Sequence, residues 1–337
     1  MLAIEPSSST RMGSYNAGYY SVKLVMDPAG RIRVATGGND EGQGHATTVA
    51  QLVADELGAD PASVRLIEGD TANSPYGSGS YSSRFSVVGT SAVTLGAREL
   101  GEKVRRIGAH LLEAAPADIE LRDGEVRVKG SPTARLALSD VSHVAYHRIH
   151  DLPEGEDPGL ELLYHYRDPN IDFAADEQGR VAMFSSFPYT ADGAVVEVDR
   201  ETGRVSILRY VSVHDCGNML NPKIVEGQHL GALVHGFGGA LLEQFSYAAD
   251  GTPLNRHFRE YLIPTAADVP DLTLDHLITP NPFTPGGFKG AGETGTVSPV
   301  PLLANAVEDA LRPLGARIDR MPLTPEIVWG QMQAARG

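Results

Sequence analysis

The decapeptide Gly286-Gly287-Phe288-Lys289-Gly290-Ala291-Gly292-Glu293-Thr294-Gly295 constrains this chain more than any other stretch. It sets five glycines around one carboxylate, and Ser298-Pro299 and an apolar run (Leu302, Leu303, Ala306, Val307, Ala310, Leu311) follow directly. A glycine-dense backbone lets a ligand or another strand of chain come close. Ser followed by Pro reads as a helix cap and a first-turn residue. The segment therefore predicts a tight loop that presents Glu293 just ahead of a helix N-terminus, aimed into a cleft. An ordinary turn carrying a solvated carboxylate would have the same sequence, because a lone Gly-rich loop is a weak signal.

A single cysteine, Cys216, removes whole classes of chemistry from a chain of 337 residues. It cannot form an internal disulfide, hold an iron–sulfur cluster or build a thiolate zinc site. Redox chemistry here must use a bound cofactor held by other groups, with electrons leaving through another domain or chain. His143, His147 and His150 cluster without an HExxH-type pattern, which reads as a loop or surface group; no metal-ligand set is expected. The net charge of −15 suits neither nucleic acid nor an anionic membrane. No apolar run reaches bilayer length, and the first residues lack a signal-peptide pattern. A cytoplasmic protein without membrane insertion is the expectation.

Hydrophobic residues make up 42% and charged residues 21%, as in globular proteins, and the length suggests about two domains. Tyr20, Val22, Leu24 and Met26 alternate as a strand, Asp27 to Gly30 turn, and Ile32 to Val34 continue as a second. A helix is expected from Ala46 to Leu57, with Val49, Leu52, Val53 and Leu57 on one face. A strand is expected at Val64 to Ile67, a long helix at Ser91 to Ala114 and a hairpin at Asp118 to Val128 turning on Asp123-Gly124. Leu152 to Asp176 is rich in Pro, Asp and Glu and reads as a linker or surface excursion. A second hairpin (Ala194 to Val198, Arg204 to Val211), a glycine-dotted helix (Val225 to Glu243) and an irregular Pro-rich region (Pro264 to Pro285) precede the last helix. The expected division is a first lobe over 1–150, an excursion over 151–185 and a second lobe over 186–337. Mixed strands and helices in two lobes imply an α/β or α+β fold.

Three further loops resemble the one at Glu293 in character. Asp40 to Thr48 places Gln43 between Gly42 and Gly44 directly before a helix, where free N–H groups and the helix dipole favour an anion. Tyr76 to Arg84 is rich in hydroxyls suited to a phosphate or a polar heterocycle. Val225 to Gly231 contains Gln228, and the glycines of its helix would let another backbone or a flat ligand approach. None is a nucleotide fingerprint: GxxxxGK[ST] is absent, and Gly77 and Gly79 lack the context of a Rossmann site. Each alone can be a structural turn. Together with a loop-borne Glu they favour one shared polar ligand.

In this light the chain resembles the C-terminal part of the large subunit of molybdenum hydroxylases: xanthine dehydrogenases, aldehyde oxidoreductases and aerobic carbon monoxide dehydrogenases. The matching stretches are Gly42-Gln43-Gly44, Gly69-Asp70-Thr71, Ser82-Ser83-Arg84 with Val88-Gly89, and Glu197-Val198-Asp199 with Thr202-Gly203. Asp215-Cys216-Gly217 with Asn221-Pro222, Glu226-Gly227-Gln228, Tyr261 to Thr265, and Lys289 to Glu293 follow in family order. The resemblance implies a two-lobed molybdopterin-binding fold. It implies that Gly42, Gln43, Gly44, Ser82, Ser83, Arg84, Gln228 and Gly292 hold a molybdopterin cofactor in its cytosine dinucleotide form. It also implies that Glu293 is the active-site base beside molybdenum.

The family's large subunits are considerably longer, and nothing here resembles the metal-approaching and substrate-side loops of their preceding domains. The resemblance thus implies part of a split large subunit that hydroxylates an electron-poor carbon, in an aromatic N-heterocycle or an aldehyde. Its partners would be an upstream-half polypeptide, a [2Fe–2S] subunit and an FAD subunit, since this chain has neither the cysteines nor a flavin motif. A non-catalytic cofactor-carrying or scaffold subunit, and an aldehyde or carbon monoxide dehydrogenase subunit, are the alternatives.

Overall fold

The computed structural model describes residues 1–7, 18–172 and 174–335. Along the chain run β1 (Leu2–Ile4), β2 (Tyr19–Met26), β3 (Ile32–Thr36), α1 (His45–Leu57) and β4 (Val64–Ile67). A π-helical turn at Phe85–Gly89 leads into α2 (Thr90–Leu111), then β5 (Ile119–Arg122), β6 (Glu125–Val128), β7 (Arg135–Ala137), α3 (Leu138–His147) and β8 (Glu161–Arg167). The remainder is β9 (Tyr189–Val198), β10 (Val205–Asp215), α4 (Pro222–Leu241), β11 (Leu272–Leu277), α5 (Thr294–Val297), α6 (Pro299–Leu311) and α7 (Pro325–Ala334). The architecture is mixed α and β, as expected.

The chain forms two compact units. Unit A is Pro6–Ser186 with Pro280–Lys289; unit B is Met1–Glu5, Phe187–Thr279 and Gly290–Gly337. The first five residues thus belong with the second half of the chain, and the last six residues of the Pro-rich region, with the four that follow, belong with the first.

Unit A is built on a sheet ordered β4-β3-β2-β8, with β3 antiparallel to β2 and parallel to β4, and β2 antiparallel to β8. Val22, Leu24, Met26, Ile32 and Val34 are fully buried. The helix faces read from the sequence are the faces buried: Val49, Val53 and Leu57 on α1, and Val93, Ala97, Leu100, Val104 and Ile107 on α2. A three-stranded meander, β5-β6-β7, lies beside α2 and α3. The expected excursion contains β8, whose Tyr164 pairs with Val22 and whose Leu162 pairs with Leu24, so the linker reading is corrected there. His143, His147 and His150 are exposed, the surface cluster among the two expectations, with His143 and His147 on α3.

Unit B has a sheet ordered β1-β9-β10-β11, in which β1 and β10 are antiparallel to β9 and β11 is parallel to β10. β11 lies inside the region expected to be irregular. Helices α4 and α6 bury Leu233, Phe237, Leu303, Val307 and Leu311 with Tyr210 of β10, and Val328 and Met332 of α7 complete that core. The register of β10 against β9 shifts between Ile207 and Arg209. A one-residue shift exchanges the two faces of a strand. Beyond it Tyr210, Ser212 and His214 oppose Ala194, Asp192 and Thr190, which places a row of polar residues in the interior.

Candidate functional site

In unit A, the predicted residues fall on two loops stitched together. Asn39 N–H donates to Ser80 Oγ at 3.3 Å, and Ser80 N–H donates back to Asn39 Oδ1 at 3.1 Å. Gly37 and Gly77 touch through their backbones: a Cβ on Gly37 would lie 2.5 Å from Gly77 Cα. Gly42 and Gly44 have φ of +117° and +78°, in the region that favours glycine. The carboxylate of Asp40 closes this loop, accepting from Gly42 N at 2.8 Å, Gly44 N at 3.2 Å and His45 N at 2.9 Å. Burial raises the Asp40 carboxyl, but these hydrogen bonds and nearby His45 outweigh it and hold it below the usual range. The N-terminus of α1 is therefore partly occupied by the protein's own anion, a correction to the expectation of free donors there. Gln43 turns its carboxamide oxygen back to accept from Glu41 N–H.

The second loop is strained where the sequence pointed. Ser82 and Ser83 both have left-handed φ, +47° and +48°, which costs non-glycine residues energy and concentrates at functional positions. Ser82 Oγ donates to Pro6 O at 3.1 Å. Arg84 is only 1% exposed, so its side chain pins the loop from inside. Its guanidinium donates to Gly79 O and Tyr19 O and lies 5.3 Å from the Tyr20 ring centre and 5.8 Å from that of Tyr81. Burial pushes its pKa down, against the pull of Tyr81 and Tyr20. The π-helical turn follows at once, a backbone irregularity frequent at functional sites. Beneath both loops His45 pairs with Glu68 at 3.1 Å and stacks on Phe85 at 3.7 Å between ring centres.

In unit B, Gln228, Gly292 and Glu293 come together. A Cβ on Gly292 would lie 3.9 Å from Gln228 Oε1. Asn221 caps α4 by accepting from Ile224 N at 3.2 Å, and Pro222 opens its first turn, which fixes the helix that carries Gln228. Glu293 is exposed, immediately before α5, and its carbonyl accepts from Thr296 N at 3.0 Å. Thr294 is fully buried and donates to the buried Glu5 at 3.0 Å. Ser298 stands at the N-cap of α6 with Pro299 in its first turn, as expected, but its hydroxyl donates to Asp192 and not to a helix N–H.

Asp192 is the centre of a buried network that the sequence reading missed. Oδ1 accepts from Thr190 Oγ1 at 2.8 Å and Ser212 Oγ at 2.6 Å; Oδ2 accepts from Tyr210 OH at 2.7 Å and from Ser298 Oγ. With its one proton given to Asp192, Ser212 accepts from His229 Nε2 at 2.7 Å, so the proton of His229 sits on Nε2. His214 stacks on His229 at 4.3 Å and 8°. The signal was in the sequence: Thr190 and Asp192, and Tyr210, Ser212 and His214, are polar at the period of a strand face.

Burial holds His229 neutral, pushing its pKa from 6.5 to about 4, with Asp192 opposing and His276 adding to the shift. In the unfolded chain this histidine takes up its proton near 6.5, so between these values the unfolded state binds more protons. Stability then falls as pH drops from about 6.5 to about 4, by about 3 kcal/mol at most. Urea unfolding across that range should show the slope, and His229→Gln should flatten it.

A family model described as a molybdopterin cofactor-binding domain matches residues 2–270. The chain belongs to the molybdopterin cofactor-binding domain family. The carbon monoxide dehydrogenase large chain of Hydrogenophaga pseudoflava is 34% identical to it over 313 residues, which cover 93% of this chain and 37% of that one. The nicotine 6-hydroxylase large subunit of Paenarthrobacter nicotinovorans is 35% identical over 319 residues, covering 94% and 37%. The crystal structure of quinoline 2-oxidoreductase from Pseudomonas putida 86 matches with a TM-score of 0.86 at 34% identity, over 98% of this chain and 42% of that one. This molybdopterin domain spans 37% of the length of those two curated relatives. Among its described residues no helix is long and apolar enough to cross a membrane.

Proposed function

We propose that this chain is the molybdenum-cofactor-holding part of a split molybdenum hydroxylase large subunit, acting on an electron-poor carbon of an aromatic N-heterocycle or an aldehyde. The observation that carries the reading is the meeting of Gln228 and Gly292 beside the exposed carboxylate of Glu293. Two similar proteins, named for nicotine and quinoline, favour the N-heterocycle.

The residues suit a molybdopterin. Gly42, Gly227 and Gly231 have nothing within 4 Å of where a Cβ would stand, so a flat ring or a phosphate meets no side chain there. The groups around them are amides, hydroxyls and backbone N–H, which match a pterin edge and the phosphates of a cytosine dinucleotide. Gln43, with its oxygen engaged on Glu41, would donate through its amide nitrogen. Ser82 would accept at its hydroxyl oxygen, whose proton is on Pro6 O, Ser83 would offer its hydroxyl, Gly44 would leave the approach to α1 clear of a side chain, and Arg84 would hold the loop. Gln228 and Gly292 would line the other part of the cofactor's contacts.

Among the described residues no group of His, Cys, Asp or Glu is arranged to hold a metal ion, so the metal would come held by the cofactor. When bound, the cofactor supplies the oxygen-transfer and electron-accepting chemistry. Glu293 takes up a proton at its carboxylate as substrate is hydroxylated. Electrons leave for a [2Fe–2S] subunit and an FAD subunit, and an upstream-half polypeptide completes the large subunit. We place the assembly in the cytoplasm. Mass and metal analysis of the natively purified complex tests the reading: molybdenum, cytosine nucleotide and the three partner chains should copurify, and a metal-free complex without them would overturn it.

Gln43→Ala and Gln228→Ala should act through cofactor retention. Each lost hydrogen bond costs roughly 1–3 kcal/mol. Molybdenum occupancy should fall and account for most of the lost activity. Full occupancy with unchanged kinetics in both variants would count against these contacts.

A further inference from the structure

The turn that carries Glu293 rests on three buried polar side chains from different elements of unit B. Glu5, following β1, accepts from Thr294 Oγ1 at 3.0 Å; Asp192 of β9 accepts from Ser298 Oγ; and His229 of α4 lies directly under Gly295. A Cβ on Gly295 would come within 3.1 Å of both His229 Nδ1 and His229 O and 3.0 Å of Ala232 Cβ, so the turn packs against α4 at His229 with no room for a side chain between them. Glu293 directly precedes Thr294, so its backbone is held by the same contacts that seat this turn. His229 is also the neighbour in sequence of Gln228.

We infer that His229 is a positioning residue for Glu293, a rigid plate whose orientation, fixed by Ser212 and Asp192, sets the height and tilt of the Glu293 turn. The inference rests on Glu293 being the base. Three contacts fix the plate. Nε2–H is bound to Ser212, which is bound to Asp192; one ring face is stacked on His214; and His276 of β11 stands edge-on, 6.5 Å away between centres. Nδ1 is buried and has no hydrogen-bond partner among the described residues, so the ring's only polar tie is the one to Ser212. A ring tied at one edge and clamped on one face cannot rotate without unseating Gly295, two residues from the carboxylate. General-base catalysis depends on such placement, and a misplacement of about 1 Å can cost on the order of a hundredfold in rate.

The test uses the assembled, molybdenum-loaded complex carrying His229→Leu, His229→Gln, Ser212→Ala, Glu293→Gln, or His229→Leu with Glu293→Gln, with metal content measured for each. His229→Leu should keep its molybdenum and its KM but lose about ten- to a hundredfold in kcat. Hydrogen–deuterium exchange of the Thr294–Val297 amides, which needs no turnover, should quicken. His229→Gln, whose amide nitrogen can reach Ser212 as Nε2 does, should recover most of kcat. The double variant should be no slower than Glu293→Gln alone, because residues acting through one step are not additive. If His229→Leu does not assemble, Ser212→Ala gives the same readings with the ring still present. Wild-type kcat in His229→Leu and Ser212→Ala beside an inactive Glu293→Gln, or fully additive losses, would overturn the positioning role alone. An active Glu293→Gln would overturn the base assignment and this inference with it.

Discussion

Glu293→Gln should remove most turnover from the assembled enzyme while leaving its fold and molybdenum content nearly intact. The change is close to isosteric, and the residue is exposed. What it loses is basicity, and loss of a general base typically costs about 10²–10⁴ in rate. The measurement is kcat with metal content determined on the same preparation. Turnover within a few-fold of wild type in a metal-loaded variant would show that the proton goes elsewhere.

Asp192→Ala should produce the largest loss of stability in unit B. Four hydroxyls, from Thr190, Ser212, Tyr210 and Ser298, converge on this one carboxylate, which is 6% exposed. A hydrogen bond to a charged group is worth roughly 1.5–3 kcal/mol, and the hydroxyls left behind can turn only partly to one another, so a loss of roughly 3–5 kcal/mol is expected. Urea unfolding with an unchanged slope and a lowered midpoint is the expected signature. Tyr210 offers a second readout: burial, then the charge and hydrogen bond of Asp192, hold its phenol far above the usual range, so the variant should bring it down. A loss below about 1 kcal/mol would mean that the hydroxyls are satisfied elsewhere.

The sequence was most legible where one periodicity dominates. α1 was expected from Ala46 to Leu57 and runs from His45 to Leu57; the strand at Val64 to Ile67 and the hairpin on Asp123-Gly124 stand where patterning put them. β8 and β11 were hidden by their surroundings. Glu161–Arg167 alternates along most of its length, but it follows a stretch dense in Pro, Asp and Glu, and Leu272–Leu277 lies between Pro270 and Pro280. Both strands owe their existence to a partner, β2 in one case and β10 in the other, and pairing of that kind leaves little trace in local sequence. The site divides in the same way. Gln228, Gly292 and Glu293 were legible as motif residues and meet in unit B. Ser-Pro predicts the N-cap position of Ser298 correctly but not its hydroxyl's partner, a buried carboxylate distant in sequence. Asp40, four residues ahead of Gly44, takes the N–H groups that local reasoning assigned to a ligand.

The bond from Thr294 to Glu5 joins residues separated by 289 positions. Closing an unstructured chain over that span costs about 5 kcal/mol beyond the constant term. Glu5 therefore has to wait for this partner until Thr294 has left the ribosome, and only then can the turn lock. A nascent chain stalled short of Thr294 could already hold most of unit A and still lack a seated Glu293 turn. Whatever depends on the seating of that turn then has to be timed after Thr294 has been made.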